Sequence, residues 1–156
     1  MDIENPYLTE IKGTLTYHIH RISHLIQLRG NQLIKEKEIP IDMDQLPVLM
    51  CVFFGDNISQ QEVASVCNRD KASVKRTLTV FEKKGLIKIL PHPKDKRKTI
   101  VQTTDVGNFV TEQIREMIYE AEKEMFSFLN NRERKELLEN LQRILSKVEI
   151  SGCGKM

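Results

Sequence analysis

Residues 70–84 read DKASVKRTLTVFEKK. Wound at about 100° per residue, this stretch puts Val74, Leu78 and Phe81 on one side and Ala72, Lys75, Arg76, Thr79 and Lys83 roughly opposite. The first set must pack inward, and the second faces out with cations, a hydroxyl and one small residue. Asp70 is a helix-capping residue and Gly85 a helix stop, so the spacing predicts a helix from 70 to about 84.

Upstream, Ser59-Gln60-Gln61-Glu62 is an S-x-x-E capping box, in which serine and glutamate satisfy each other's orphan amides. It starts a short helix with Val63, Ala64 and Val66, followed by a brief break at Asn68-Arg69. Short helix, tight turn and second helix within about 25 residues form the helix-turn-helix arrangement. Downstream, Leu86–Leu90 (LIKIL) and Thr99–Thr103 (TIVQT) read as short β-branched strands. PHPKDKRK, residues 91–98, joins them as a hairpin loop, crowding Lys94, Lys96, Arg97 and Lys98 around Asp95.

From Arg69 to Lys98 the chain holds eleven of its 24 Lys/Arg and three of its 22 Asp/Glu, so this block carries +8 and the remainder −6. Such a basic block is an electrostatic footprint for a polyanion. A membrane surface calls for a basic helix with an exposed apolar face, and here the apolar positions are committed to a core. The helix face at 70–84 suits a DNA major groove: lysine and arginine meet guanine or phosphate, and the Ala72 methyl meets thymine.

The flanks are long helices. Apolar residues recur from Leu8 to Ile34 at helical spacing over 27 residues, predicting a helix that opens near Asn5-Pro6 and is broken by Ile39-Pro40. Asp42 or Asp44 caps a helix bearing Leu46, Val48, Leu49, Val52 and Phe53, with Pro47 in its first turn and Gly55 at its end. Thr104 caps a helix to 129 with a stripe of Val106, Phe109, Val110, Met117, Ile118, Ala121, Met125, Phe128 and Leu129. Asn130, with Glu133 three residues on, opens a last helix, where Leu138, Leu141, Leu145 and Val148 form a coiled-coil-like seam. The fold class is mostly α with one β-hairpin: a helix-turn-helix core at 42–103, helices at 1–38 and 104–150, and a flexible tail at 151–156. The outer helices carry more apolar stripe than a core of this size covers, and stripes of that extent mark interfaces.

The chain's 156 residues suit one domain. No apolar run approaches the roughly 18 residues of a membrane span, and the N-terminus, MDIENPYLTE, has no signal-peptide pattern, so a cytoplasmic protein is expected. Gly-rich phosphate loops, G-x-S-x-G elbows and HExxH are absent from the sequence, so no enzyme and no cofactor is expected.

DKASVKRTLTVFEKKGLIKI (70–89), followed by PKDKRKTIVQTTDVG (93–107), resembles the winged helix-turn-helix core of the multiple-antibiotic-resistance regulator (MarR) family. The likeness lies in the run Phe81-Glu82-Lys83-Lys84-Gly85-Leu86-Ile87, then Asp95-Lys96-Arg97, then Thr103-Thr104 and Gly107. Phe81 and Thr103 stand where the family has leucine. The resemblance implies a homodimer on double-stranded DNA, with the first and last helices intertwined and each subunit presenting one winged domain to a half-site. It implies that Arg97 enters the minor groove, that Asp95 braces the hairpin, and that the other wing lysines and the start of the Ser59 helix hold the DNA backbone. The candidate DNA-contact set is Ser59, Gln60, Lys71, Ala72, Ser73, Lys75, Arg76, Thr79, Lys94, Lys96, Arg97 and Lys98. A repressor released from a pseudo-palindromic operator by an unidentified small-molecule effector is expected. The competing class is a winged-helix protein-interaction module.

Metal- or thiol-responsive variants of the same regulator also compete. His18, His20 and His24 lie in the first helix, and His20 and His24, four apart, share a face able to hold a metal. No Glu or Cys stands nearby at ligand spacing, and residues 104–129 hold no His or Cys; histidines lining an interface or pocket are the simpler reading. Cys51, Cys67 and Cys153 lack the CxxC spacing of a zinc site. Cys51 in VLMCVFF reads as a buried small hydrophobe, Cys67 ends a helix whose dipole opposes a thiolate, and the first helix, where the family's peroxide sensors carry their thiol, has none.

Overall fold

The structure, a computed structural model, describes residues 10–55, 57–95 and 98–149. Its elements are α1 (Leu15–Glu36), a 3-10 turn (Met43–Gln45), α2 (Leu46–Phe54), β1 (Ile58–Ser59), α3 (Gln60–Val66), α4 (Lys71–Lys83), β2 (Ile87–Pro91), β3 (Thr99–Thr103), α5 (Asp105–Met125) and α6 (Asn131–Val148). The chain divides into two compact units, residues 1–44 and 45–156.

In the first unit, the single helix expected from Asn5-Pro6 onward is interrupted; residues 5 and 6 themselves lie outside the described residues. Thr14 is extended (φ −90°, ψ 146°) and N-caps α1 by accepting from the Tyr17 amide. Its hydroxyl also donates to the Ile11 carbonyl at 2.8 Å. Glycine at 13 weakens the helix, and a threonine hydroxyl competes for backbone partners, so a new helix starts at Leu15. The far end closes two residues before the expected Ile39-Pro40 break. Glu38 takes a left-handed φ of 53°, and the Glu38 and Ile39 amides donate back to Lys35 and Ile34, a Schellman closure. The Met43 amide donates to Asn31 at 3.1 Å, folding the 3-10 turn onto the end of α1.

In the second unit, α2 is not capped by Asp42 or Asp44. Its N-cap is Gln45, with no side-chain cap bond, because the chain arrives through the 3-10 turn and Pro47 in the first turn has no N–H to satisfy. Leu46, Val48, Leu49 and Val52 are buried. Both expected strands are present, β2 shifted by one residue, but the sheet has a third member. Its order is β1-β3-β2, all antiparallel, with Ile58 opposite Val101 and Ile89 opposite Val101 on the other side. A two-residue strand leaves no alternation to read, so β1 has no signature in the sequence.

The inward face of α5 also differs from the expected stripe. Gly107, Val110, Thr111, Ile114 and Met117 are buried, with α5 packed on α2 and β3. Val106, Phe109, Met125 and Phe128 are exposed. Thr111 can be buried because its hydroxyl donates to the Gly107 carbonyl at 2.7 Å. The helix ends at Met125, short of Leu129, since the Asn130 cap of α6 must be extended (φ −75°, ψ 170°) and needs a few residues to turn. The Asn130–Glu133 capping box is complete. No residue of α6 is buried: Leu138, Leu141, Leu145 and Val148 are all exposed. Among the described residues, no helix is long and apolar enough to cross a membrane.

Candidate nucleic-acid interface

The helix read at 70–84 is α4. The Asp70 carboxylate accepts from the Ser73 amide at 2.8 Å, and the left-handed Gly85 (φ 70°) closes the other end. Val74, Leu78 and Phe81 are essentially inaccessible; Phe81 in place of leucine is a fully buried core residue. Thr77, which the apolar period does not single out, joins them at 8% exposure. Lys71, Ala72, Lys75, Arg76 and Lys83 are exposed, with Ser73 and Thr79 partly so. The Thr79 hydroxyl donates to the Lys75 carbonyl at 2.9 Å, so its outward chemistry is that of an acceptor.

The Ser59–Glu62 capping box forms as expected. Hydrogen bonding to Ser59, side chain first and backbone second, holds the Glu62 carboxyl below its ordinary value of 4.5, with smaller help from Lys98 and His92. Gln60 Nε2 donates to the Lys71 carbonyl at 3.3 Å, tying the start of α3 to the start of α4. Asn68, with φ 48°, makes the turn between them, its amide and that of Arg69 donating to Ser65 and Ala64. A left-handed residue is tolerated there because asparagine is the commonest substitute for glycine in that region.

The hairpin is organised by His92, which carries no motif in the sequence. Its backbone amide donates to the Lys98 carbonyl at 2.9 Å, and its Nδ1 accepts from the Lys94 and Asp95 amides at 3.2 and 3.1 Å. Asp95 takes part through its backbone, its carbonyl accepting from the Lys98 amide at 2.9 Å. Lys94 and Lys98 are exposed and Asp95 partly buried; Lys96 and Arg97 lie outside the described residues. His92, Lys98, Lys71, Ser59 and Gln60 line one polar groove of about 560 Å³. It thus joins the starts of both helices to the hairpin base.

The whole assembly is seated on α5. The Thr104 hydroxyl donates to the Gly85 carbonyl at 2.6 Å and accepts from the Gly107 amide at 3.0 Å, while the Thr104 amide donates to the Leu86 carbonyl.

His18, His20 and His24 are exposed on α1, and among the described residues no group of three or more His, Cys, Asp or Glu could hold a metal ion. Cys51 is half-buried, not fully enclosed as expected, and Cys67 caps the end of α3.

A cationic helix of this form, held by a helix-turn-helix and followed by a β-hairpin, defines a winged helix-turn-helix domain. The family model described as "MarR family" matches residues 41–99. The chain is 31% identical over 128 residues to the uncharacterized HTH-type transcriptional regulator YdgJ of Bacillus subtilis (strain 168), covering 80% of this chain and 78% of that protein. It is 28% identical over 100 residues to the multiple antibiotic resistance protein MarR of Escherichia coli (strain K12), covering 63% and 69%. The crystal structure of the Staphylococcus aureus MepR–DNA complex shares the fold, with a TM-score of 0.76 at 23% identity over 88% of this chain and 98% of that one. The chain belongs to the MarR family of DNA-binding transcriptional regulators, and it is not an enzyme.

Proposed function

We propose that this protein is a cytoplasmic, homodimeric repressor that binds a pseudo-palindromic operator in double-stranded DNA and is released by a small-molecule effector. One observation carries the reading: α4 exposes Lys71, Ala72, Lys75 and Arg76 on a helix whose opposite side is core. Such a helix enters a major groove without exposing apolar surface. Lys71, Ala72, Ser73, Lys75, Arg76 and Thr79 are assigned to that groove. Ser59, Gln60, Lys94, Lys96 and Lys98 are assigned to phosphates, Arg97 to the minor groove and Asp95 to the hairpin turn. Half-sites about one helical turn apart follow from two-fold symmetry.

The dimer reading is supported by α6, none of whose residues is buried within one chain despite a complete cap and an apolar stripe. Segments 1–38 and 104–150 are assigned to dimerisation. The effector acts by changing the distance or angle between the two winged domains, a coupling between separate sites.

The test is selection of bound fragments from the host genome, with affinity measured across a salt series. An enriched pseudo-palindrome, with affinity falling steeply as salt rises through counterion release, is the expected result. A flat salt response with no fragment retained would turn the assignment toward a winged-helix module that docks a protein.

A further inference from the structure

Two thiols, Cys51 and Cys67, share one apolar groove. Cys51 lies in the second half of α2 and Cys67 at the C-cap of α3. Both are free and half-buried. With Pro47, Met50, Phe54 and Val66 they line a cavity of about 450 Å³, and Phe54 and Val66 leave most of their own surface open. The Cys67 thiol donates to the Pro47 carbonyl at 3.5 Å, one helical turn before Cys51 in α2. Two thiols from adjacent helices therefore line one groove large enough to accept an aromatic ring.

We propose that Cys51 and Cys67 form a chelating site for a trivalent arsenical bearing one apolar substituent, which seats between Phe54 and Val66. The exchange is R–As(OH)₂ with two thiols, giving R–As(S–Cys)₂ and two waters. Two As–O bonds break, two As–S bonds form, each thiol proton leaves in a water molecule, and no electrons are transferred.

Three features favour this ligand. The bent S–As–S unit spans two thiols on the wall of a single groove, whereas a linear bis-thiolate metal demands sulfurs farther apart. No third His, Cys, Asp or Glu joins the pair among the described residues, which suits an element whose third valence is carbon. Burial, and after it the neighbouring Cys67, pushes the Cys51 thiol up to about 11. It is protonated at neutral pH, which slows attack by a single thiol on peroxide; a dithiol arsenical is held by its two bonds and not by the speed of the first attack.

Cys67 is followed by the left-handed Asn68 and then by the Asp70 cap of α4. Bridging it to α2 strains the turn that sets the recognition helix. That consequence rests on the function proposed above; the binding does not.

The experiment uses phenylarsine oxide on the full-length protein, read by intact mass and by peptide-resolved iodoacetamide protection at pH 10, against an unloaded control in which Cys51 labels. One phenylarsenic group per chain is expected, with Cys51 and Cys67 protected together. It should resist excess monothiol and be stripped by dimercaptopropanol. Cys51→Ser and Cys67→Ser should each weaken retention roughly a hundredfold by removing one of two attachment points, while Cys153→Ser should not. Alkylation of either Cys51 or Cys67 in the loaded wild-type protein overturns the site without recourse to any variant, as does dependence on Cys153. Operator affinity is measured on the same samples. Loading without loss of affinity retains the site and removes its coupling to DNA. Intact DNA binding by a protein that takes up no arsenical removes the site alone.

Discussion

A Cβ placed on Gly107 would lie 1.9 Å from the carbonyl oxygen of Leu86. The first turn of α5 therefore rests directly on the backbone that links α4 to the hairpin, and Thr104 clamps the same turn through Gly85 and Leu86. Backbone cannot yield as a flexible side chain can. We predict that Gly107→Ala destabilises the protein by about 3 kcal/mol, the upper range for overpacking. Gly85, at φ 70° but with nothing within 4 Å of where an added methyl group would stand, should lose only about 1–2 kcal/mol as alanine, the left-handed penalty alone. Urea unfolding of both variants decides it: equal losses would mean that the close approach is unimportant.

Arg76 and Lys94 should fail differently. Arg76 projects from the exposed face of α4 and Lys94 from the hairpin. Arg76→Ala is predicted to lose about 1–3 kcal/mol on the best operator and little on random duplex, while Lys94→Ala weakens all duplexes and lowers the salt slope by about 1. Parallel titrations of operator and scrambled DNA at several salt concentrations separate the two. Uniform loss in both variants would show that Arg76 holds phosphate.

His92 accepts two backbone amides at the turn. In His92→Ala the Lys94 and Asp95 amides lose that partner, so their hydrogen exchange should quicken markedly. The melting temperature should barely move, because the turn is exposed and outside the core. Unchanged exchange at 94 and 95 would leave His92 with no part in ordering the wing.

The stripe on α6 is predicted to be an interface between two copies. Leu141→Asp should convert dimer to monomer in sedimentation, and the melting temperature should lose its dependence on protein concentration. A buried leucine contributes about 1.5–3 kcal/mol, and a symmetric interface loses it twice. A variant that sediments as the wild type does would place the interface elsewhere.

The pH dependence of Cys51 follows from its raised pKa. A thiol at 9.0 when unfolded and about 11 when folded keeps its proton longer in the native state. The stability this contributes is full below pH 9 and is lost as pH rises toward 11. Iodoacetamide labelling resolved to the Cys51 peptide should accelerate across that window and be slow at pH 7. Half-maximal labelling near pH 8 would contradict the shift.

The helix-turn-helix and hairpin are legible in the sequence because their determinants are local. Asp70 bonds to Ser73, Ser59 to Glu62, Asn130 to Glu133 and Thr104 to Gly107, each within three positions, and a side chain three residues from its partner needs no tertiary fold to find it. The period that sets Val74, Leu78 and Phe81 inward is equally local. At Gly13-Thr14 two local signals compete, and the cap breaks a helix that the apolar period alone would carry through. Tertiary packing decides the rest. β1 exists only because β3 supplies its hydrogen bonds. The inward side of α5 is set by where Leu86 lies against Gly107, and not by the broad apolar stripe, which offers more than one face for burial. His92 gains its role only when residues 92 and 98 meet across the hairpin, and Cys51 and Cys67 come to one groove only after α2 packs on α3. Caps and periodicity are written into neighbouring residues, whereas contacts between distant residues depend on which of several compatible surfaces the folded chain brings together.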